Sequence, residues 1–220
     1  MLYWNTVNNQ LKASLMLLMT APEFQDFRLV GGTALSLYLG HRMSIDIDLF
    51  TDATYGSQDF DAIESYLQKT FNYATGSFGE SPGMGKSYLI GNDEHNVVKL
   101  DVYYSMDPFF QPSVIQDGVR MASIEEIIAM KVDIIQRIGR KKDFWDLHEL
   151  LSQYKINEMM DLHQQRFEWT HDRALIKRNF TDFSSADLEP DPLCLLNKEW
   201  IFIMEDIVNA IYQSEPFTYK

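Results

Sequence analysis

The chain has 220 residues, 45% of them hydrophobic, a single cysteine (Cys194) and a formal net charge of −13. This is material for one large core or two modest ones, and it excludes a disordered chain, an internal disulfide and a broadly basic nucleic-acid binder. The apolar stretch through Met19 is interrupted by Asn8, Asn9, Gln10 and Lys12 and has no basic leader, so neither a membrane span of ~20 apolar residues nor an export signal is expected and the compartment is read as cytoplasmic.

Leu11, Leu15 and Leu18 recur at helical spacing, and Pro22 ends that helix before Phe27 to Val30 reads as a short buried strand. Gly31-Gly32 follows at once, and Thr33 to Leu39 is a helix closed by Gly40. Ile45, Ile47 and Leu49 then alternate with Asp46, Asp48 and Phe50 as in a strand, with the three aliphatic residues assigned to the core. Phe60, Ile63 and Leu67 mark a further helix. Tyr88 to Ile90 and Val97 to Tyr104 are expected to form an antiparallel pair joined by the polar loop 91–96.

From residue 121 the pattern is helical. Ser123-x-x-Glu126 reads as a capping box opening a helix to Gly139, Asp143 to Tyr154 gives a second helix, and a last one spans Glu199 to Tyr212 after a loop rich in Asp, Ser and Pro. An α+β domain over 1–120 followed by a helical domain over 121–220 is therefore expected. Residues 120–180 carry a net charge of +1 against −8 for 1–119 and −6 for 181–220. A nucleic acid would accordingly meet the middle segment, with Arg137, Arg140, Lys141, Lys142, Arg166, Arg173, Lys177 and Arg178, although solvated helix faces are the commoner explanation for such residues.

Residues two apart on a strand point the same way, so Asp46 and Asp48 present two carboxylates on one face. Adjacent anions repel, and a cation between them removes that cost. Oxygen ligands at this spacing suit Mg²⁺ or Mn²⁺ bridging to a substrate's phosphates, whereas an acidic outer strand face is the plainer alternative. The preceding Gly31-Gly32 lets backbone approach a phosphate and aims a helix N-terminus at it, with Thr33 and Ser44 as hydroxyl donors and Arg42 as a positive charge.

The strings Leu29-Val-Gly-Gly-Thr-Ala-Leu-Ser-Leu and Arg42-Met-Ser-Ile-Asp-Ile-Asp-Leu-Phe together resemble the core motif of the nucleotidyltransferase superfamily, in the form found in AbiEii/AbiGii toxins. The resemblance implies a mixed sheet with flanking helices and then a helical domain. It also implies a third metal-binding carboxylate, matched by Asp101 in Val98-Lys-Leu-Asp-Val-Tyr. Lys131 in Ala129-Met-Lys matches a lysine motif of these toxins. The final motif, Arg-Asp-x-x-Asp-Leu, appears with a lysine in place of its arginine as Lys142-Asp143-Phe-Trp-Asp146-Leu147, leaving Asp143 and Asp146 both open as its functional acid, with Asp146 preferred.

Lys131 has independent support, because Ile127, Ile128, Ile134 and Ile135 surround it at helical spacing. A lysine in an apolar stripe either snorkels to water or faces an anion, and the second choice makes it a ligand for nucleotide phosphates. Gly83-Met-Gly-Lys-Ser87 is not a phosphate loop: Glu80 stands where that pattern needs glycine, and a strand rather than a helix follows.

The leading expectation is an enzyme that transfers a nucleoside monophosphate from an NTP to an acceptor hydroxyl, with Asp46, Asp48 and Asp101 as metal ligands. The resemblance implies an RNA acceptor, a tRNA 3′ end, and a toxin paired with a cognate antitoxin in a toxin–antitoxin or phage-defence system. Two alternatives are a small-molecule nucleotidyltransferase of the aminoglycoside-modifying kind and an inactive nucleotide- or protein-binding module.

Overall fold

A computed structural model describes residues 1–214; the last six residues of the expected helical domain, 215–220, lie outside the described residues. The chain forms two compact units, one of Met1–Gly40 with Ser44–Ser123, the other of His41–Met43 with the chain from Ile124 onward.

The first unit is built on a seven-stranded mixed sheet. In chain order it runs α1 (Asn9–Thr20), β1 (Arg28–Leu29), α2 (Gly31–Leu39), β2 (Asp46–Thr51), α3 (Phe60–Thr70), β3 (Tyr73–Gly76), β4 (Gly85–Asp93), β5 (Asn96–Tyr104), β6 (Val114–Gln116) and β7 (Val119–Met121). The strand order is β3-β4-β5-β2-β1-β7-β6. β2 lies parallel to β5 at the middle of the sheet, and β4 pairs with β5 antiparallel, as expected from the polar turn between them. The core follows from alternation: Ile47, Leu49, Val98, Leu100 and Val102 are fully or nearly fully buried on one face. Ile45, expected in that core, is 68% exposed instead. It stands one residue before β2 begins, where no neighbouring strand fixes which way a side chain points.

Asn8 caps α1 by accepting from the Leu11 N–H, and Asp59 caps α3 by accepting from Ala62 N–H. The Gly83-to-Ser87 string opens a strand, and Lys86 is buried with its ammonium 2.5 Å from Glu64 Oε1. The β6–β7 hairpin turns on Asp117 and Gly118, both with positive φ, which is the two-residue turn that an Asp-Gly pair favours.

The second unit is helical: α4 (Ile124–Ile138), α5 (Lys141–Leu150), α6 (Ile156–Arg166), α7 (Arg173–Phe180) and α8 (Trp200–Gln213). Ile127, Ile128, Val132 and Ile135 of α4 meet Met159, Met160, Ile176 and the aromatic residues Phe144, Trp145 and Phe180 in one apolar core. Glu126, read from sequence as part of a cap, is fully buried with its carboxylate 2.5 Å from Arg166. His41–Met43 join this unit through backbone hydrogen bonds from Met43 N to Leu193 O and from Leu195 N to His41 O. No helix among the described residues is long and apolar enough to cross a membrane.

Candidate active site

The parallel register of β2 and β5 sets Asp46 opposite Lys99 and Asp48 opposite Asp101. Because side chains alternate, these four and Ser87 of β4, which stands opposite Asp101, occupy the face of the sheet away from the apolar core. Neighbouring strands lie about 4.8 Å apart, so three carboxylates are gathered within two rungs of the ladder.

Asp48 is held at the start of α2. Gly31, the first residue of that helix, has φ 69°, and a Cβ there would stand 2.8 Å from Asp48 Oδ2. A carboxylate in that position faces the positive end of the helix dipole, and the N-cap residue Val30 contributes no side-chain cap of its own. Gly32 is the next residue of α2. The pair therefore begins the helix itself, and its N–H groups are placed where an anion binds.

Thr33 and Ser44 are both buried, with their hydroxyls 2.8 Å apart, and Thr33 donates a short hydrogen bond to the backbone carbonyl of Asp46. These hydroxyls fix the strand that carries the carboxylates. Asp101 has a partner on each oxygen: Ser87 Oγ donates to Oδ1 at 2.6 Å, and the Lys99 ammonium lies 2.5 Å from Oδ2. Ser87 also meets the Tyr103 hydroxyl at 3.1 Å. The hydrogen bond with Asp101 is the main reason Lys99 stays protonated above the usual lysine range; burial opposes it, and the charges of Asp101, Asp48 and Asp46 add to it. Sequence reasoning missed both Lys99 and Ser87. Lys99 was within reach, since it stands two residues before Asp101 on the same strand.

As a metal centre, this face offers hard oxygen donors of the kind that hold Mg²⁺ or Mn²⁺ together with phosphates. A cation is already at home here in the form of Lys99. Among the described residues, however, no three His, Cys, Asp or Glu side chains are gathered closely enough to hold an ion as they stand. The donors fit such an ion by chemistry and by register, while Asp101 is engaged with Lys99 and Ser87.

Arg42, Lys131, Asp143 and Asp146 form a separate cluster within the second unit. Arg42 reaches Asp146 with two nitrogens, Nε to Oδ1 at 2.6 Å and Nη2 to Oδ2 at 2.8 Å. Lys131 Nζ lies 2.6 Å from Asp143 Oδ1 and 2.7 Å from Asp146 Oδ2, and His41 Nε2 is 2.8 Å from Asp146 Oδ1. Burial alone would raise the Asp146 pKa, but Arg42, Lys131 and the His41 hydrogen bond hold it well below the usual carboxylate range. Lys131 is pushed down by its burial and raised above the lysine norm by Asp146 and Asp143. Each buried charge in the cluster meets an opposite one, which offsets the cost of taking these groups out of water. The anions facing Lys131 in the structure are these two carboxylates.

Several basic side chains of residues 120–180 are also paired: Arg137 with Asp133, Arg140 with Asp143, Lys141 with Asp191, Arg166 with Glu126 and Arg173 with Asp161. Arg137 and Arg178, with Gln136, Asn179 and Ser184, line a cleft of about 520 Å³ in the same unit.

Comparison with known proteins bears on the fold and on the family. The model of the nucleotidyl transferase AbiEii toxin of type IV toxin–antitoxin systems matches residues 15–211. An uncharacterized protein of Aquifex aeolicus is 28% identical over 184 residues, which are 75% of this chain and 80% of that protein. The solved structure of a putative nucleotidyltransferase from H. pylori superposes with a TM-score of 0.60 at 20% identity, over 92% of this chain and 90% of that one. MenT4, a nucleotidyltransferase toxin of Mycobacterium tuberculosis H37Rv, gives 0.59 at 16%, over 91% and 81%. At those identities the two structures establish the mixed-sheet fold with flanking helices, and the family match establishes the rest: the chain belongs to the AbiEii family of nucleotidyltransferase toxins and is a nucleotidyltransferase.

Proposed function

We propose that the chain transfers a nucleoside monophosphate from an NTP to a hydroxyl of RNA, a tRNA 3′ end, forming a phosphodiester at the α-phosphate as the α–β anhydride bond breaks and pyrophosphate leaves, and that it does so in the cytoplasm as the toxin partner of a cognate antitoxin. The observation that carries this reading is the β2–β5 register, which gathers Asp46, Asp48 and Asp101 on one open face beside the N-terminus of α2. Asp46, Asp48 and Asp101 would hold Mg²⁺ or Mn²⁺. A bound divalent ion supplies charge neutralisation of the phosphates and a more acidic attacking hydroxyl.

The residues of the chain itself do the rest. The N–H groups at Gly31 and Gly32 receive phosphate oxygens, the Thr33–Ser44 pair keeps the Asp46 backbone in register, and Asp101 accepts the proton of the attacking hydroxyl. Arg42, Lys131 and Asp146 are assigned a supporting part. A phosphate taking Lys131 as its ligand has to displace Asp143 or Asp146 from its ammonium, so their first task is to hold the second unit's buried cluster together. The acceptor strand is assigned to residues 120–180, where Arg137 and Arg178 line the cleft.

Incubating the purified protein with Mg²⁺, each labelled NTP, total tRNA and a panel of aminoglycosides tests this directly. Label on tRNA is the expected result. Label on a drug instead would fit the acidic residues 1–119 attracting a cationic acceptor, and no label on any acceptor would overturn the reading.

A further inference from the structure

The strands that carry the carboxylates carry a lysine on the same face. Lys99 precedes Asp101 by two residues on β5 and stands opposite Asp46 on β2. The two-residue period of a strand therefore places its side chain among Asp46, Asp48 and Asp101. Its ammonium lies 2.5 Å from Asp101 Oδ2, while Ser87 engages Oδ1. The side chain of Lys99 is 48% exposed and that of Asp101 17%. An ion pair this open to water is held weakly, and a four-carbon stem leaves the ammonium free to swing. The carboxylates differ from it in this respect, because Asp48 lies against Gly31 and the backbone of Asp46 is tied by Thr33.

We infer that Lys99 is a resident counter-cation of the carboxylate site, occupying Asp101 until a divalent ion takes its place and competing with that ion for the same oxygen. This rests on the metal reading given above. Two opposed carboxylates without a cation repel across the strands, and Lys99 relieves that repulsion in the metal-free protein. A divalent ion that uses Asp101 has to dislodge the ammonium, which raises the concentration of metal needed. Once displaced, the ammonium remains on the same face, where an incoming triphosphate offers it new anionic partners. Nucleotide therefore lowers the cost of metal entry, and Lys99 couples the two ligands.

The test is a Mn²⁺ titration of the full chain followed by electron paramagnetic resonance of free Mn²⁺, without nucleotide, on the parent, Lys99→Met, Lys99→Arg and Asp48→Asn. Lys99→Met is expected to bind Mn²⁺ at least fivefold more tightly than the parent. Lys99→Arg, which keeps the charge, should stay within twofold of it. Circular dichroism spectra matching the parent establish that the variants are folded. Equal affinity in the parent and Lys99→Met, or weaker affinity in Lys99→Met, overturns the role of Lys99 while leaving the metal reading in place, provided Asp48→Asn binds less. No Mn²⁺ bound by the parent or by Lys99→Met overturns the metal reading and this inference with it.

Discussion

Asp48 occupies the space that a side chain on residue 31 would need: a Cβ on Gly31 would come within 2.8 Å of Asp48 Oδ2. Gly31→Ala therefore meets two obstacles, a left-handed φ of 69° and a displaced carboxylate. The backbone strain alone costs about 1–2 kcal/mol. Thermal unfolding should show the loss of stability, and nucleotide transfer should fall more than tenfold because Asp48 has moved. An Ala variant with parental activity would show that Asp48 need not lie where the structure has it.

Asp48→Asn separates charge from fold. The amide fills the same volume and removes one of two opposed anions, so the melting temperature should hold or rise while transfer is nearly abolished. Full activity in Asp48→Asn would remove Asp48 from the metal ligands.

Metal and nucleotide should act together on stability. A ligand that binds only the native state contributes about 2.7 kcal/mol at a hundredfold excess over its dissociation constant. Mg²⁺ with the preferred NTP should therefore shift the melting temperature by more than the sum of the separate shifts. Strictly additive shifts would mean that the carboxylates and the α2 N-terminus are not one site.

Lys131→Met tests the buried cluster. Removing Lys131 takes one cation from Asp143 and Asp146, which keep Arg140 and Arg42, so a loss of one charged hydrogen-bond partner, about 1–3 kcal/mol, is expected. Chemical denaturation should show a loss of that order, with transfer falling only as far as the folded fraction does. A variant of parental stability whose Michaelis constant for NTP has risen tenfold would instead make Lys131 a phosphate ligand.

Acid should act on the same cluster. Asp143 and Asp146 both titrate below the ordinary aspartate value of 3.8 despite their burial, because Lys131 and the neighbouring arginines favour the charged forms. A depressed folded pKa contributes stability that is complete above the unfolded value and is lost as pH falls through the folded one. Unfolding free energy should thus drop below about pH 4, and Asp146→Asn should drop less steeply there while being less stable at neutral pH. Equal slopes in the two proteins would show that Asp146 does not carry the acid response.

The carboxylate face was legible in the sequence because a strand's two-residue period is short-range information: Asp46, Asp48 and Asp101 follow from local alternation and motif. Ile45 fails for the same reason, since alternation says nothing about where the strand begins. Lys131 was legible as a lysine that either snorkels to water or faces an anion, and it is buried against two carboxylates. Its anions were not, because Asp143 and Asp146 come from the next helix and only the packing of α5 on α4 brings them to it. Arg42 is the strongest case. Its neighbours in sequence suggest a phosphate ligand, and its partner is Asp146, 104 residues away. The β6–β7 hairpin, by contrast, carries an Asp-Gly turn that could have been recognised.

The three residues His41–Met43 carry a consequence for how the protein can be made. On the ribosome Arg42 emerges long before Asp146, so the helical unit cannot complete its charge cluster until its own sequence has been synthesised and the earlier segment captured. That long-range closure predicts a late, slow folding step in completing the helical unit. It also means that a fragment cut near residue 123 should be less stable than the helical unit of the intact chain, because it would keep Lys131 but lose the guanidinium that meets Asp146.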